Sequence, residues 1–264
     1  MARRARLDAE LVRRRMARSR QHANELIEAG SVQVNGQVAQ KSASMVDADT
    51  PVLIRADSGT RVVSRGAHKL TGALRTFLSK GLTVGGRRCL DAGASTGGFT
   101  QVLLEAGASE VVAVDVGYGQ LAWQLRTDSR VHVLDRTNVR SLNPTLIGGS
   151  VSLVVADLSF ISLRLVLPAL FDCVEPGGDV LPMVKPQFEV GKDQLGSGGV
   201  VREPALRAQA VLDVAASAAE HGWGVAGMAP SPLPGPAGNR EFFLWLRHGA
   251  DELQEVDVAQ MVQA

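Results

Sequence analysis

Apolar positions divide the chain into two differently patterned parts. Leu7, Leu11 and Val12 recur at helical spacing over residues 7–16. Ser19 is a candidate N-cap for a second helix, with Ala23, Leu26 and Ile27 inward and Gly30 as its stop. The segment Val32-Gln33-Val34-Asn35-Gly36-Gln37-Val38 then alternates on either side of an Asn-Gly pair, which predicts a tight hairpin. Residues 47–51 read as another turn before a strand over Val52-Leu53-Ile54, and Asp57-Ser58-Gly59-Thr60 as a polar linker. Beyond it the pattern changes. A helix running through Leu74 and Phe77 is followed by short apolar runs that alternate with amphipathic segments. The runs begin at Cys89 and recur at 111–115, 131–134, 151–156, 180–184, 224–228 and 242–246. Such alternation predicts an α/β fold with a doubly wound sheet, preceded by a small α+β domain. The expected boundaries are 1–59 for the small domain, 60–63 for the linker and 64–264 for the large domain.

Charge adds a local feature that the net value hides. The 264 residues carry a formal charge of only +1, yet Arg3, Arg4, Arg6, Arg13, Arg14, Arg15, Arg18 and Arg20 crowd the start against Asp8 and Glu10. Clustered arginine suits phosphate through bidentate hydrogen bonds, and a solvated charged helix is the plainer alternative. Cys89 and Cys173 lack metal-ligand spacing, so neither a metal nor a disulfide framework is expected. No apolar signal core follows the basic start, and no run approaches the ~18 apolar residues of a membrane span. The expectation is a cytoplasmic protein that does not enter membranes.

The chemistry centres on residues 88–100, an apolar strand running into Asp91-Ala92-Gly93-Ala94-Ser95-Thr96-Gly97-Gly98-Phe99-Thr100. A strand, a glycine turn and a helix start form a corner where backbone N–H groups can meet a ligand closely. Roughly 20 residues on, Asp115 ends the next strand, the place where a nucleotide ribose is held in doubly wound sheets. Ser95 stands where a G-x-G-x-x-G fingerprint has its second glycine, which argues against a pyrophosphate ligand. S-adenosylmethionine has no phosphate, and Asp91 suits its cationic methionine end.

Other strand ends point to the same crevice. Asp157 follows the run 151–156 and Lys185 the run 180–184, and a charge there is costly unless paired or functional. A structural ion pair is the bland alternative. Trp123, Trp223 and Trp245 fall within helix or strand patterns and are expected in the core, and His68 is expected as a packing or hydrogen-bonding neighbour of Lys69. Phe160 and Phe188 follow two of the strands and are candidates to contact adenine or a flipped base, with plain packing as the alternative. The glycine-rich stretch 191–199, which includes Lys192, is a candidate flap over RNA, and Arg65 and Arg136 are candidate phosphate contacts.

These motifs carry two resemblances. Arg18-Ser19-Arg20, the run from Leu26 to Gly36 and Lys41 resemble an S4-like RNA-binding domain. Nearly the whole chain resembles the TlyA family of ribosomal RNA 2′-O-methyltransferases, whose catalytic domain belongs with the FtsJ enzymes. That resemblance rests on Ser64-Arg65-Gly66-Ala67-His68-Lys69-Leu70, the glycine corner, Asp115-Val116-Gly117-Tyr118-Gly119-Gln120-Leu121, Asp157-Leu158-Ser159-Phe160-Ile161-Ser162, Val184-Lys185-Pro186-Gln187-Phe188-Glu189 and residues 231–241.

The resemblance implies a Rossmann-like class I methyltransferase fold using S-adenosyl-L-methionine. It places the family's catalytic lysine, aspartate, lysine and glutamate on Lys69, Asp157, Lys185 and Glu241. It assigns the cofactor to Gly93, Ser95, Gly97, Gly98, Phe99, Asp115 and the neighbourhood of Asn138, to which the strand-end reading adds Asp91 and Asp157; the candidate RNA contacts are Arg3, Arg4, Arg6, Arg18, Arg20, Lys41, Arg65, Arg136 and Lys192. The implied reaction is 2′-O-methylation of cytidine in 23S RNA. The Arg3-Arg4-Ala5-Arg6 start and the helical pattern from Asp251 to Val262 look like the longer members, which also modify 16S RNA. A membrane-active protein, after the family's historical hemolysin label, and a non-catalytic RNA-binding assembly factor are the rival readings.

Overall fold

The structure, a computed structural model, describes residues 4–14, 16–17, 19–28, 31–47, 49–54, 63–235, 237–251 and 253–263. Its contacts cluster into two units, Met1–Arg61 and Val62–Ala264.

In the smaller unit, helices α1 (Leu7–Arg13) and α2 (Arg20–Glu28) bury Leu7, Leu11, Ala23 and Ile27 against Val32 and Val46. Ser19 caps α2, its Oγ accepting the backbone N–H of His22 at 3.1 Å. Strands β2 (Val32–Val34) and β3 (Gln37–Val38) form the expected hairpin, and β5 (Val52–Ile54) pairs with the other edge of β2. Asn35 and Gly36 take φ of 52° and 80°, the positive values a type I′ turn requires at both central positions. A second ladder lies outside the sequence reading: β1 (Ala5–Arg6) pairs antiparallel with β4 (Met45–Val46).

The larger unit opens with α3 (Arg65–Leu78) and continues through β6 (Arg88–Ala92), α4 (Gly98–Glu105), β7 (Glu110–Val114), α5 (Trp123–Arg126) and β8 (Val131–Leu134). Then follow β9 (Val151–Ala156), α6 (Leu167–Asp172), β10 (Val174–Val184), α7 (Pro186–Glu189), α8 (Pro204–Ala219), β11 (Trp223–Pro230), β12 (Phe242–His248) and α9 (Glu255–Gln263). The seven large-unit strands make one sheet in the order β11-β12-β10-β9-β6-β7-β8. Ladders from β10 to β8 are parallel, and β12 runs antiparallel to both its neighbours. Chain order reverses between β6 and β9, so their carboxyl ends flank the switch point where open α/β sheets bind ligands.

Two apolar layers cover the sheet. Leu167, Leu170, Val211, Val214, Val258 and Val262 from α6, α8 and α9 belong to one, and Leu70, Phe77, Leu103 and Leu125 from α3, α4 and α5 to the other. Each fully buried large apolar side chain contributes about 1.5–3 kcal/mol. Trp223 and Trp245 join these layers, but Trp123 does not: it starts the four-residue α5 and is 77% exposed. One turn of helix has too few positions to bury two faces, and Leu125 takes the inner one. His68 is also exposed, on the outer side of α3, rather than packed.

Candidate active site

A cavity of about 530 Å³ opens where β6, β7 and β9 end, lined among others by Gly93, Ser95, Asp115, Asn138 and Asp157. Gly93 takes φ +90°, and a Cβ there would meet the Asp157 carbonyl oxygen at 2.6 Å, so only glycine lets the two strand ends close together. Ser95 adopts φ 47°, the left-handed backbone a second glycine would have taken. Its N–H donates to Asp115 Oδ2 at 2.8 Å, while Gly117 N–H donates to Asp115 Oδ1 at 2.6 Å. Asp115 thus braces two turns and lines the cavity. Asn138 also lines it, and its Oδ1 accepts the N–H of Arg140 at 3.0 Å.

Four other predicted cofactor residues lie behind this wall. Phe99 is buried and stacks on Phe243 with centroids 6.0 Å apart, so it belongs to the core. A Cβ on Gly97 would strike Leu125 and Leu121, and one on Gly98 would strike Ser64 and Ala67. These glycines admit neighbouring helices rather than forming the cavity surface. Asp91 is fully buried, accepts Thr100 Oγ1 at 2.7 Å, and leaves Oδ1 without a hydrogen-bond partner. Burial, opposed by the Thr100 bond, pushes its carboxyl up to about 7.

The four ionisable residues assigned to catalysis form two pairs. Lys185 Nζ lies 2.6 Å from Asp157 Oδ1 and donates to Ser159 Oγ at 3.0 Å. Lys69 Nζ lies 2.5 Å from Glu241 Oε2, with both side chains buried. Sheet register brings the pairs to the same strand ends. Val184 of β10 is opposite Phe242 of β12, so Lys185 and Glu241 follow one step beyond on adjacent antiparallel strands. Pro182 pairs with Ala156, which sets Asp157 at the same end of β9. Lys69 reaches Glu241 from the second turn of α3. The loop before β12 closes over the carboxylate at Gly235, where a Cβ would lie 2.6 Å from Glu241 Oε1.

Residues 62–248 match the family of FtsJ-like methyltransferases, and residues 5–52 match the S4 domain. The chain belongs to the FtsJ-like methyltransferase family. Among its relatives, the 16S/23S rRNA (cytidine-2'-O)-methyltransferase TlyA of Mycobacterium tuberculosis is 62% identical over 251 residues, covering 95% of this chain and 92% of that protein. Hemolysin A of Brachyspira hyodysenteriae is 34% identical over 226 residues, 85% of this chain and 92% of that one. A solved structure from Streptococcus thermophilus, also named as a hemolysin, has 36% identity and a TM-score of 0.75, covering 100% of this chain and 96% of its own. In this FtsJ-like methyltransferase no helix among the described residues is long and apolar enough to cross a membrane.

The methyltransferase family implies S-adenosylmethionine, and the cavity fits it. Two carboxylates and two amides line the opening without a lysine or arginine among the lining residues, and an orphaned buried carboxyl oxygen sits at Asp91 below the turn. That donor set suits a cation and disfavours a pyrophosphate.

The basic residues of this FtsJ-like methyltransferase are held more tightly than a solvated run would be. Buried Asp8 pairs with Arg6 at 3.0 Å and Arg20 at 2.9 Å, and buried Glu10 with Arg13 at 2.6 Å and Arg14 at 2.7 Å. The Arg6 guanidinium holds the Asp8 carboxyl down to about 2, and Arg13 does the same for Glu10. Arg4 reaches Asp47 at 3.4 Å, and Lys41 is exposed. In the larger unit Arg65 is exposed, and Arg136, exposed at φ 54°, sits 4.3 Å over the Tyr118 ring. Arg3, Arg18 and the Lys192 side chain lie outside the described residues.

Three site features escaped the sequence reading. Ser159 holds Lys185, and its position two residues beyond Asp157 in the same loop was the available signal. Glu189 accepts Ser162 Oγ at 2.5 Å and the Leu163 N–H at 2.7 Å, fixing that loop's far end. Asn239 accepts the Val201 N–H at 2.9 Å and donates to the Gly199 carbonyl at 3.0 Å, tethering the glycine-rich stretch near Glu241. No spacing rule forecasts the last two.

Proposed function

We propose that this FtsJ-like methyltransferase moves a methyl group from S-adenosylmethionine to the ribose 2′-hydroxyl of cytidine in ribosomal RNA, in both the large and the small subunit. The smaller unit docks RNA and the larger one performs the chemistry. The name and 62% identity of the Mycobacterium tuberculosis relative support the substrate. The observation that carries the site is the shared strand-end position of the Lys185–Asp157 and Lys69–Glu241 pairs, with Asp157 also lining the cavity.

When bound, S-adenosylmethionine supplies a methyl on a sulfonium, a leaving group that needs no acid and keeps the electrons of the broken S–C bond as a neutral thioether. Alignment and the removal of one proton remain for the protein. Lys185, in its amine form, takes the 2′-hydroxyl proton, and Asp157 holds that nitrogen and balances the ammonium that results. Lys69, tied to Glu241, holds the ribose or its phosphate. Gly93, Ser95, Asp115 and Asn138 hold the nucleoside part of the cofactor, while Asp91, buried behind them, ties the strand before the glycine turn to the helix after it through Thr100. Phe160, 91% exposed at φ 64° on the cavity rim, offers a stacking face to an extruded base. Arg4, Arg6, Arg20 and Lys41, with Arg3 and Arg18, hold phosphates without reading much sequence.

Purified protein, isolated ribosomal subunits and methyl-labelled S-adenosylmethionine test the reading. Ribose methylation is expected on both RNAs, lost in Lys185→Ala with cofactor affinity kept. Most of the incorporation surviving in Lys185→Ala overturns the assignment.

A further inference from the structure

We propose that Ser159 is a positioning residue that aims the lone pair of the Lys185 amine at the acceptor hydroxyl. The inference rests on the methyl-transfer reading above and deepens it. A neutral amine has two N–H bonds and one lone pair, and Lys185 Nζ has two oxygen acceptors: Asp157 Oδ1 at 2.6 Å and Ser159 Oγ at 3.0 Å. With both N–H bonds consumed, the remaining tetrahedral direction belongs to the lone pair. With Asp157 as the one acceptor, the second N–H and the lone pair can exchange the two remaining staggered positions on Nζ, so that an N–H points at the hydroxyl as readily as the lone pair does.

Ser159 is exposed and lines the cavity, so the hydroxyl sits on the substrate side and its removal opens no core void. The other groups around Lys185 cannot substitute for it. The Phe188 ring lies 6.0 Å away, Glu241 is taken by Lys69, and Asp91 is buried with its bond from Thr100 and reaches Asp157 only as a neighbouring charge. In the reaction the 2′-oxygen forms its bond to carbon, the sulfonium S–C bond breaks with its electrons left on sulfur, and the proton passes to Lys185 Nζ. The product ammonium has three donors, two of which keep Asp157 and Ser159.

The test compares wild type, Ser159→Ala, Ser159→Thr and Lys185→Ala. Ser159→Ala is expected to lower plateau kcat roughly tenfold, the loss appropriate to one oriented hydrogen bond. It should also move the acid limb of kcat to lower pH, because the ammonium form loses a charge-assisted bond to Ser159. Cofactor affinity and KM for the subunits stay at wild-type values, and Ser159→Thr, which keeps the hydroxyl, restores both the plateau and the limb. In ¹⁵N-lysine-labelled protein, the Nζ resonance missing from Lys185→Ala is expected to shift and exchange faster in Ser159→Ala. A wild-type plateau in Ser159→Ala, or a loss with an unmoved limb and no rescue by threonine, overturns the proposal while leaving methyl transfer intact. Absence of methyl incorporation by the wild type overturns both.

Discussion

Glu241→Gln and Lys69→Met together separate what the buried pair does for the fold from what it does for the reaction. The two charged tips are 2.5 Å apart, with side chains 10% and 1% exposed. Removing one partner strands the other charge in that setting, which costs roughly 3–5 kcal/mol, at the lower end for Glu241→Gln because Lys69 keeps a little access to water. Removing both leaves no uncompensated charge, and such replacements are often neutral, so the double variant is expected within about 2 kcal/mol of wild type. The coupling is therefore about 4 kcal/mol or more, against additivity within about 0.5 kcal/mol for independent sites. Urea unfolding followed by tryptophan fluorescence reads the correct unit, since Trp123, Trp223 and Trp245 all lie in Val62–Ala264. All three variants should be silent in methyl incorporation, the double one while well folded. Single losses that simply add in the double variant would refute the pairing and the argument from burial.

Gly93→Ala forces a side chain into φ +90° and against the Asp157 carbonyl at 2.6 Å, so about 1–2 kcal/mol of backbone strain and at least a tenfold loss of cofactor affinity are expected. Unchanged affinity by calorimetry would remove Gly93 from the cavity's architecture. Asp91→Asn tests the raised carboxyl. With a folded value of about 7 against an unfolded value near 3.9, native Asp91 keeps a proton that the unfolded chain has released, so stability falls as pH rises from about 4 to about 7. The variant lacks that slope, and parallel urea midpoints across the window for the two proteins would contradict it.

How much of this was legible in the sequence depended on the range of the interactions involved. The strands of the parallel sheet and the Asn35-Gly36 hairpin are governed by apolar patterning and local turn chemistry, and they lie close to where the pattern put them, except that β10 begins at Val174, ahead of its apolar run at 180–184. Asp157 and Lys185 could be read because each ends an apolar run that terminates at the same sheet edge. The two-residue strands β1 and β4 are too short to carry a period, and four-residue α5 too short to show which face Trp123 takes. Gly97, Gly98 and Phe99 share a motif with Gly93, yet their neighbours are helices and core rings. A motif records that close approach is needed, not what approaches. That Lys69 and Glu241, 172 residues apart, belong to one site was available only through the resemblance, and their direct pairing not at all, because local sequence says nothing about the path of α3.

The arginines gripped by Asp8 and Glu10 change how the smaller unit meets its target. Arg6, Arg13 and Arg20 have surrendered much of their side-chain freedom in folding, so capture of a polyanion does not have to extract that entropy again. Each phosphate must instead share its guanidinium with a carboxylate already in place, which tempers the grip. A ready-made but partly neutralised face of this kind favours quick engagement and quick departure of a polyanion.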